Sequence, residues 1–159
     1  MIKKLLIKIH RLSVTKSALV LFSIVLTVEI FADVIVNIFN INIGIDTRII
    51  GSKWYHILLI CIIAPITETY FFQYLIYNVF EKQFKKNLFL WSAIGASIFG
   101  FSHLTSLMYV ICASCAGFFL LLWYALLARK YNNFVAFCVI AIVHSLYNTV
   151  SFSYWLYLK

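Results

Sequence analysis

The chain has 159 residues, of which 64% are hydrophobic and only 11% charged, with a formal net charge of +8. So apolar a balance excludes a water-facing surface of the usual kind and leaves an integral membrane protein. The basic residues lie between apolar runs, as they do where membrane topology is set, and this argues against nucleic acid and for the lipid bilayer as partner.

The length is that of one domain. The expected fold is all-α, a polytopic transmembrane helix bundle of about five spanning helices. Residues 1–16 form a basic arm and residues 17–159 the bundle, with a motif-bearing core at 54–150. The arm carries Lys3, Lys4, Lys8, Arg11 and Lys16 beside His10. It resembles the front of a signal peptide, but the following apolar run is too long and lacks a small-residue exit. A first helix is expected from Ser17 to about Phe39, near the roughly 20 residues a bilayer requires. Glu29 and Asp33 sit in it four residues apart and so on one face. They could line a second polar site or meet a basic group; the simpler reading turns them to the bundle interior or an interface without chemistry.

Residues 40–53 read as a loop. Trp54, Tyr55 and His56 then form an interfacial belt opening a second helix that runs to Phe80. Residues 81–87 read as a basic loop. A third helix runs from Leu88 to about Leu104, with Ser92, Ala96 and Gly100 as a small-residue stripe that lets helices approach closely. A fourth runs from about Ser106 to Ala128, with Ala113 and Gly117 at the same spacing. A fifth runs from Asn132 to about Tyr157, with Ala141, Ser145 and Thr149 as its stripe. Ten of the thirteen basic residues fall in the arm, the 81–87 loop and the 129–130 turn. That asymmetry predicts five spans, a cytoplasmic N-terminus and an external C-terminus.

Three polar clusters interrupt the apolar runs: Glu68 after Ala64-Pro65-Ile66-Thr67, the run Phe99-Gly100-Phe101-Ser102-His103, and His144-Ser145-Leu146-Tyr147-Asn148. A carboxylate at the centre of a spanning helix costs roughly 2.5–3.5 kcal/mol. Pro65, three residues earlier, has no N–H to give and should loosen the helix there. At 1.5 Å per residue, Glu68, His103 and His144 lie roughly 18–22 Å from the cytoplasmic ends of their helices, so they share a level. A lone intramembrane histidine is usually a packing residue; a Glu, two His and an Asn at one level are hard to explain by packing. A carboxylate with a neighbouring His can take a proton from water. A second His and an Asn amide can donate to an oxyanion. Glu with two His is also a zinc ligand set, and spacing does not separate the two chemistries.

These clusters resemble the motifs of the CPBP family, the CAAX proteases and bacteriocin-processing (Abi) enzymes: E-E-x-x-x-R, F-x-x-x-H and H-x-x-x-N on successive membrane helices. The matches are Glu68 to Gln73, Phe99 to His103 and His144 to Asn148, within about residues 54–150. The resemblance implies an intramembrane endopeptidase acting on a prenylated, leader-bearing or otherwise membrane-associated peptide or protein, in a bacterial cell membrane. It implies that Glu68 and His103 activate water and that His144 and Asn148 form the oxyanion site. Thr69, Phe72, Gln73 and Phe99 would support them. The cofactor is either one zinc ion on Glu68, His103 and His144, or none.

The chain departs from the pattern at Thr69, where a second Glu is usual, and at Gln73, where an Arg is usual. One negative and one positive group are absent together, so no buried charge need be left unpaired. The departure keeps a rival open, a non-catalytic immunity or regulatory relative that binds a membrane partner. A third reading, a haem, quinone or ion carrier, has less support from the H-x-x-x-N pair. Cys112-Ala-Ser-Cys115 is a C-x-x-C without a soluble redox fold around it, and the aromatics Tyr70, Phe71, Phe72, Tyr74 and Tyr77 read as bundle packing and interface.

Overall fold

The computed structural model describes residues 9, 11–41, 54–84 and 87–158. These form five helical segments, and no strand occurs among them. Lys3, Lys4, Lys8, His10, Lys85, Lys86 and residues 42–53 of the expected loop lie outside the described residues.

Helix α1 (Val14–Ile38) begins where Ser13 accepts a hydrogen bond from the Lys16 amide at 3.4 Å. It therefore starts three residues before the expected Ser17, inside the stretch read as the arm, because a serine cap satisfies a first-turn N–H. It ends with Asn40 at φ 48°, with Ile41 N–H reaching Val36 O at 3.0 Å. That closure uses the left-handed conformation that asparagine tolerates.

Helix α2 (54–84) is not uniform. Alpha-helical turns at Trp54–Leu58, Ala64–Glu68 and Ile76–Phe84 alternate with π-helical turns at Leu59–Ile63 and Thr69–Leu75. The loosening expected at Pro65 takes this form, the first π turn lying directly before it. α2 also continues through Phe84, four residues past the expected Phe80, so the first half of the predicted 81–87 loop is helical. Arg129 holds Glu81 in two-pronged contact, with Nη2 to Oε2 at 2.5 Å and Nε to Oε1 at 3.1 Å, and this bond secures the extra turn.

Helix α3 (Leu88–Phe101) is short. Its 14 residues rise about 21 Å, less than the ~30 Å hydrocarbon core, whereas α1, α2, α4 and α5 are long and apolar enough to cross a membrane. It stops three residues before the expected Leu104, leaving His103 in a turn. Helix α4 (Leu107–Lys130) restarts at Ser106, whose hydroxyl accepts from the Tyr109 amide at 3.2 Å. Helix α5 (Asn133–Leu158) is capped by Asn132 Oδ1 on the Val135 amide at 2.8 Å.

The core sits around α4. Every residue from Leu120 to Leu127 is buried, so this half of the helix is covered on all sides, and it touches the four others. Trp123 Nε1–H reaches the Ser17 hydroxyl at 3.1 Å, tying α4 to α1. Small residues set the α3–α4 spacing: Ser92, Ala96 and Gly100 are buried as the stripe predicts. On α5 the predicted stripe fails at its end. Ala141 is buried but Thr149 is exposed, and the inward face is instead Ala136, Ile140, Val143 and His144.

Candidate active site

Three elements deliver the central groups. Glu68 ends the middle alpha-helical stretch of α2, His103 occupies the α3–α4 turn, and His144 lies midway along α5. His103 Nε2 is 3.7 Å from Glu68 Oε1, and His144 Nε2 is 3.5 Å from Glu68 Oε2. The carboxylate thus faces one imidazole with each oxygen. The side chains of Glu68 and His103 are 23% and 20% exposed and that of His144 only 4%, so the site has an open side and a buried back.

The α3–α4 turn fixes His103. Its Nδ1 is 2.9 Å from Phe99 O, so in the neutral ring Nδ1–H donates there and Nε2 presents a lone pair toward Glu68. Ser102 Oγ–H also donates to Phe99 O, at 2.6 Å, and lies 3.1 Å from His103 Nδ1. The Phe99 ring packs edge-on against His103, His144 and Phe72, with centroids 4.6, 6.1 and 5.1 Å away. Gly117 makes room for it: a Cβ there would stand 2.5 Å from Phe99 Cδ1. Phe99 therefore packs against both histidines, and Phe72 packs behind it. Tyr109, whose ring lies 5.6 Å from His103, carried no signal in the sequence, and Ser102 was visible only as part of the F-x-x-x-H run.

Asn148 is not brought onto Glu68. Its Nδ2–H donates to the backbone carbonyl of Ile60 in α2, at 3.0 Å. Thr69 and Gln73 are fully buried, and Thr69 Oγ1, Gln73 Oε1 and Gln73 Nε2 have no hydrogen-bond partner among the described residues. His144 Nδ1 is likewise buried without a partner.

That last atom bears on the metal expectation. A ligating histidine normally donates its second ring N–H to a carbonyl or carboxylate. His103 meets this condition through Phe99 O, but His144 does not. A zinc on His144 Nε2 would put the ring's one proton on Nδ1, where no acceptor among the described residues receives it. Among the described residues no three His, Cys, Asp or Glu side chains are arranged to hold a metal ion. As a zinc ligand, His144 therefore lacks the supporting hydrogen bond that His103 has.

Glu29 and Asp33 line a cavity of about 540 Å³ with Tyr109, Cys112, Tyr147 and Ser151. Ser151 Oγ–H donates to Glu29, and Tyr154 O–H to Asp33 at 3.1 Å. Cys112 and Cys115 are free thiols.

An all-helical membrane bundle with a carboxylate set between two histidines, one from the α3–α4 turn and one from α5, defines the class of protein. The family model for type II CAAX prenyl endopeptidase Rce1-like proteins matches residues 50–150, and the chain belongs to that family. This agrees with the resemblance read from the three motifs. No curated protein and no solved structure matches the chain.

Proposed function

We propose that this chain is an intramembrane endopeptidase that hydrolyses a peptide bond of a membrane-associated substrate, with water activated by Glu68 and His103. The family's CAAX prenyl endopeptidases make a peptide with a prenylated cysteine the substrate to try first. The observation that carries the reading is the placement of Glu68 between His103 Nε2 and His144 Nε2.

Those separations are too long for direct hydrogen bonds but suit a shared water. A water at the apex of a triangle on the Glu68–His103 base reaches both groups at hydrogen-bond lengths of about 2.8 Å. Glu68 takes a proton from this water as its oxygen attacks the scissile carbonyl carbon. The carbonyl oxygen gains the charge, and His144 Nε2–H donates to it from the buried back of the site, where low polarity strengthens that bond. Glu68 then passes its proton to the leaving amine as the C–N bond breaks. No step requires a metal.

The test uses full-length protein in detergent and an internally quenched farnesylated peptide ending in a CAAX sequence. Glu68→Gln, His103→Ala and His144→Ala are each expected to lower kcat by about 10²–10⁴-fold while membrane levels hold. Full activity in Glu68→Gln would reject the mechanism. If Glu68→Gln also kept the protein's entire cellular phenotype, the non-catalytic immunity or regulatory reading, favoured by neutral Thr69 and Gln73, would take its place.

A further inference from the structure

We infer that Asn148 is a positioning residue: its side-chain amide supplies the hydrogen bond that Pro65 withholds from Ile60, and so locks α5 to α2 in the register that brings His144 to Glu68. In a π-helical turn each N–H returns to the carbonyl five residues back. The Ala64 N–H does so, reaching Leu59 O. The next N–H in that series belongs to residue 65 and its acceptor is Ile60 O. Residue 65 is proline and has no N–H. A bilayer interior offers no water to fill the gap, and an unsatisfied carbonyl there is costly. Asn148 Nδ2–H meets that carbonyl at 3.0 Å, from another helix and 88 residues away in sequence.

The consequence is geometric. Ile60 lies eight residues before Glu68 on α2, and Asn148 lies four residues after His144 on α5. A bond between Ile60 and Asn148 therefore pins the two helices close to where their reactive side chains meet. It also gives the proline a role, because Pro65 leaves Ile60 O open to a donor from outside the helix. The effect on turnover rests on the endopeptidase reading above; the effect on the carbonyl does not.

Pro65→Ala tests this directly, since alanine restores the N–H that can bind Ile60 O from within the helix. Four full-length proteins are compared: wild type, Pro65→Ala, Asn148→Ala and the double variant. Thermal unfolding in detergent, membrane level and turnover of the quenched farnesylated peptide are measured for each. Asn148→Ala alone is expected to lower Tm and to lower kcat at least 10-fold. In the Pro65→Ala background the same change should cost less than 3-fold in kcat and little in Tm. An equal kcat loss in both backgrounds would make Asn148 a donor to the reaction itself and overturn the inference, as would additive Tm losses. If wild type cleaves no peptide, the endopeptidase reading fails while the Tm cycle still decides the role of Asn148. If Asn148→Ala does not accumulate, recovery of its membrane level by Pro65→Ala supports the inference, and failure of Pro65→Ala to recover Asn148→Leu, which is close in size and has no donor, counts against it.

Discussion

Thr69 and Gln73 lie beside Glu68 on α2 and are wholly buried, four residues apart and one turn from each other. Neutral groups at both positions avoid two buried charges. This arrangement predicts a signature in stability. Thr69→Glu alone buries an unpaired acid and Gln73→Arg alone an unpaired base, and each is expected to cost about 3–5 kcal/mol. Made together, the two changes restore a charged pair and should recover much of the loss, with a favourable coupling larger than about 1 kcal/mol. A double-mutant cycle in Tm and membrane level measures it; strictly additive losses would show that the two side chains do not share a site. His144 is the other residue whose burial matters. Its 4% exposure keeps it from competing for water, while Glu68 and His103 remain reachable. Replacing His144 with Gln, which keeps an N–H donor, should therefore retain more turnover than His144→Ala, and steady-state kinetics on the farnesylated peptide would show it.

At the scale of elements, the winding of α2 explains which of its residues face inward. Cys61, Pro65, Thr69, Gln73 and Tyr77 are all buried, at a strict spacing of four. An ordinary α-helix of 3.6 residues per turn would rotate such a series off the contact face. Interleaving wider π turns brings the average to roughly four residues per turn and holds the stripe in line. Where α3 crosses α4, two glycines do different work. A Cβ on Gly100 would stand 2.7 Å from the Val110 backbone carbonyl, which cannot move aside without breaking α4. A Cβ on Gly117 would meet the Phe99 ring, which packs against both histidines. Gly100→Ala is therefore expected to lower stability or membrane level outright. Gly117→Ala should cost less, about 1–3 kcal/mol, and should lower turnover beyond its effect on stability by pushing Phe99 toward His103. Parallel Tm and kcat measurements separate the two, and equal effects of both substitutions on kcat per folded molecule would refute the distinction.

For the whole molecule, α4 is the post around which the bundle closes, and polar bonds gather at one end of it. Arg129 holds Glu81 of α2, Lys130 Nζ donates to Leu12 O at 2.7 Å, and Asn133 Nδ2 donates to Asn78 Oδ1 at 3.1 Å. The residues just before α1, the end of α2 and the α4–α5 turn thus share one end of the molecule. Among the described residues Arg11, Lys16, Lys82, Arg129 and Lys130 gather toward that end, and the positive-inside rule predicts a cytoplasmic location for it. Reporter fusions near residues 84 and 130 are expected to read as cytoplasmic and a fusion at residue 159 as external. A cytoplasmic C-terminus would mean that the short α3 does not cross.

The sequence alone determined the class of fold, because a 64% hydrophobic chain with apolar runs of about 20 residues crosses a bilayer as helices. It also singled out Glu68, His103 and His144, costly in apolar runs, which the fold brings together as the candidate site. Their order and spacing carried the family as well. It could not decide how those pieces meet. Pro65 marked where α2 loosens, but the second π turn, Thr69–Leu75, carries no such mark and lies against α5. The role of Asn148 was hidden for the same reason: H-x-x-x-N places Asn148 on one face with His144, yet only the fold sets the carbonyl of Ile60 opposite its amide. Nor could composition separate zinc from water activation. The buried, unpartnered Nδ1 of His144 is what bears on that question, and burial is a property of the packed bundle rather than of any stretch of the chain.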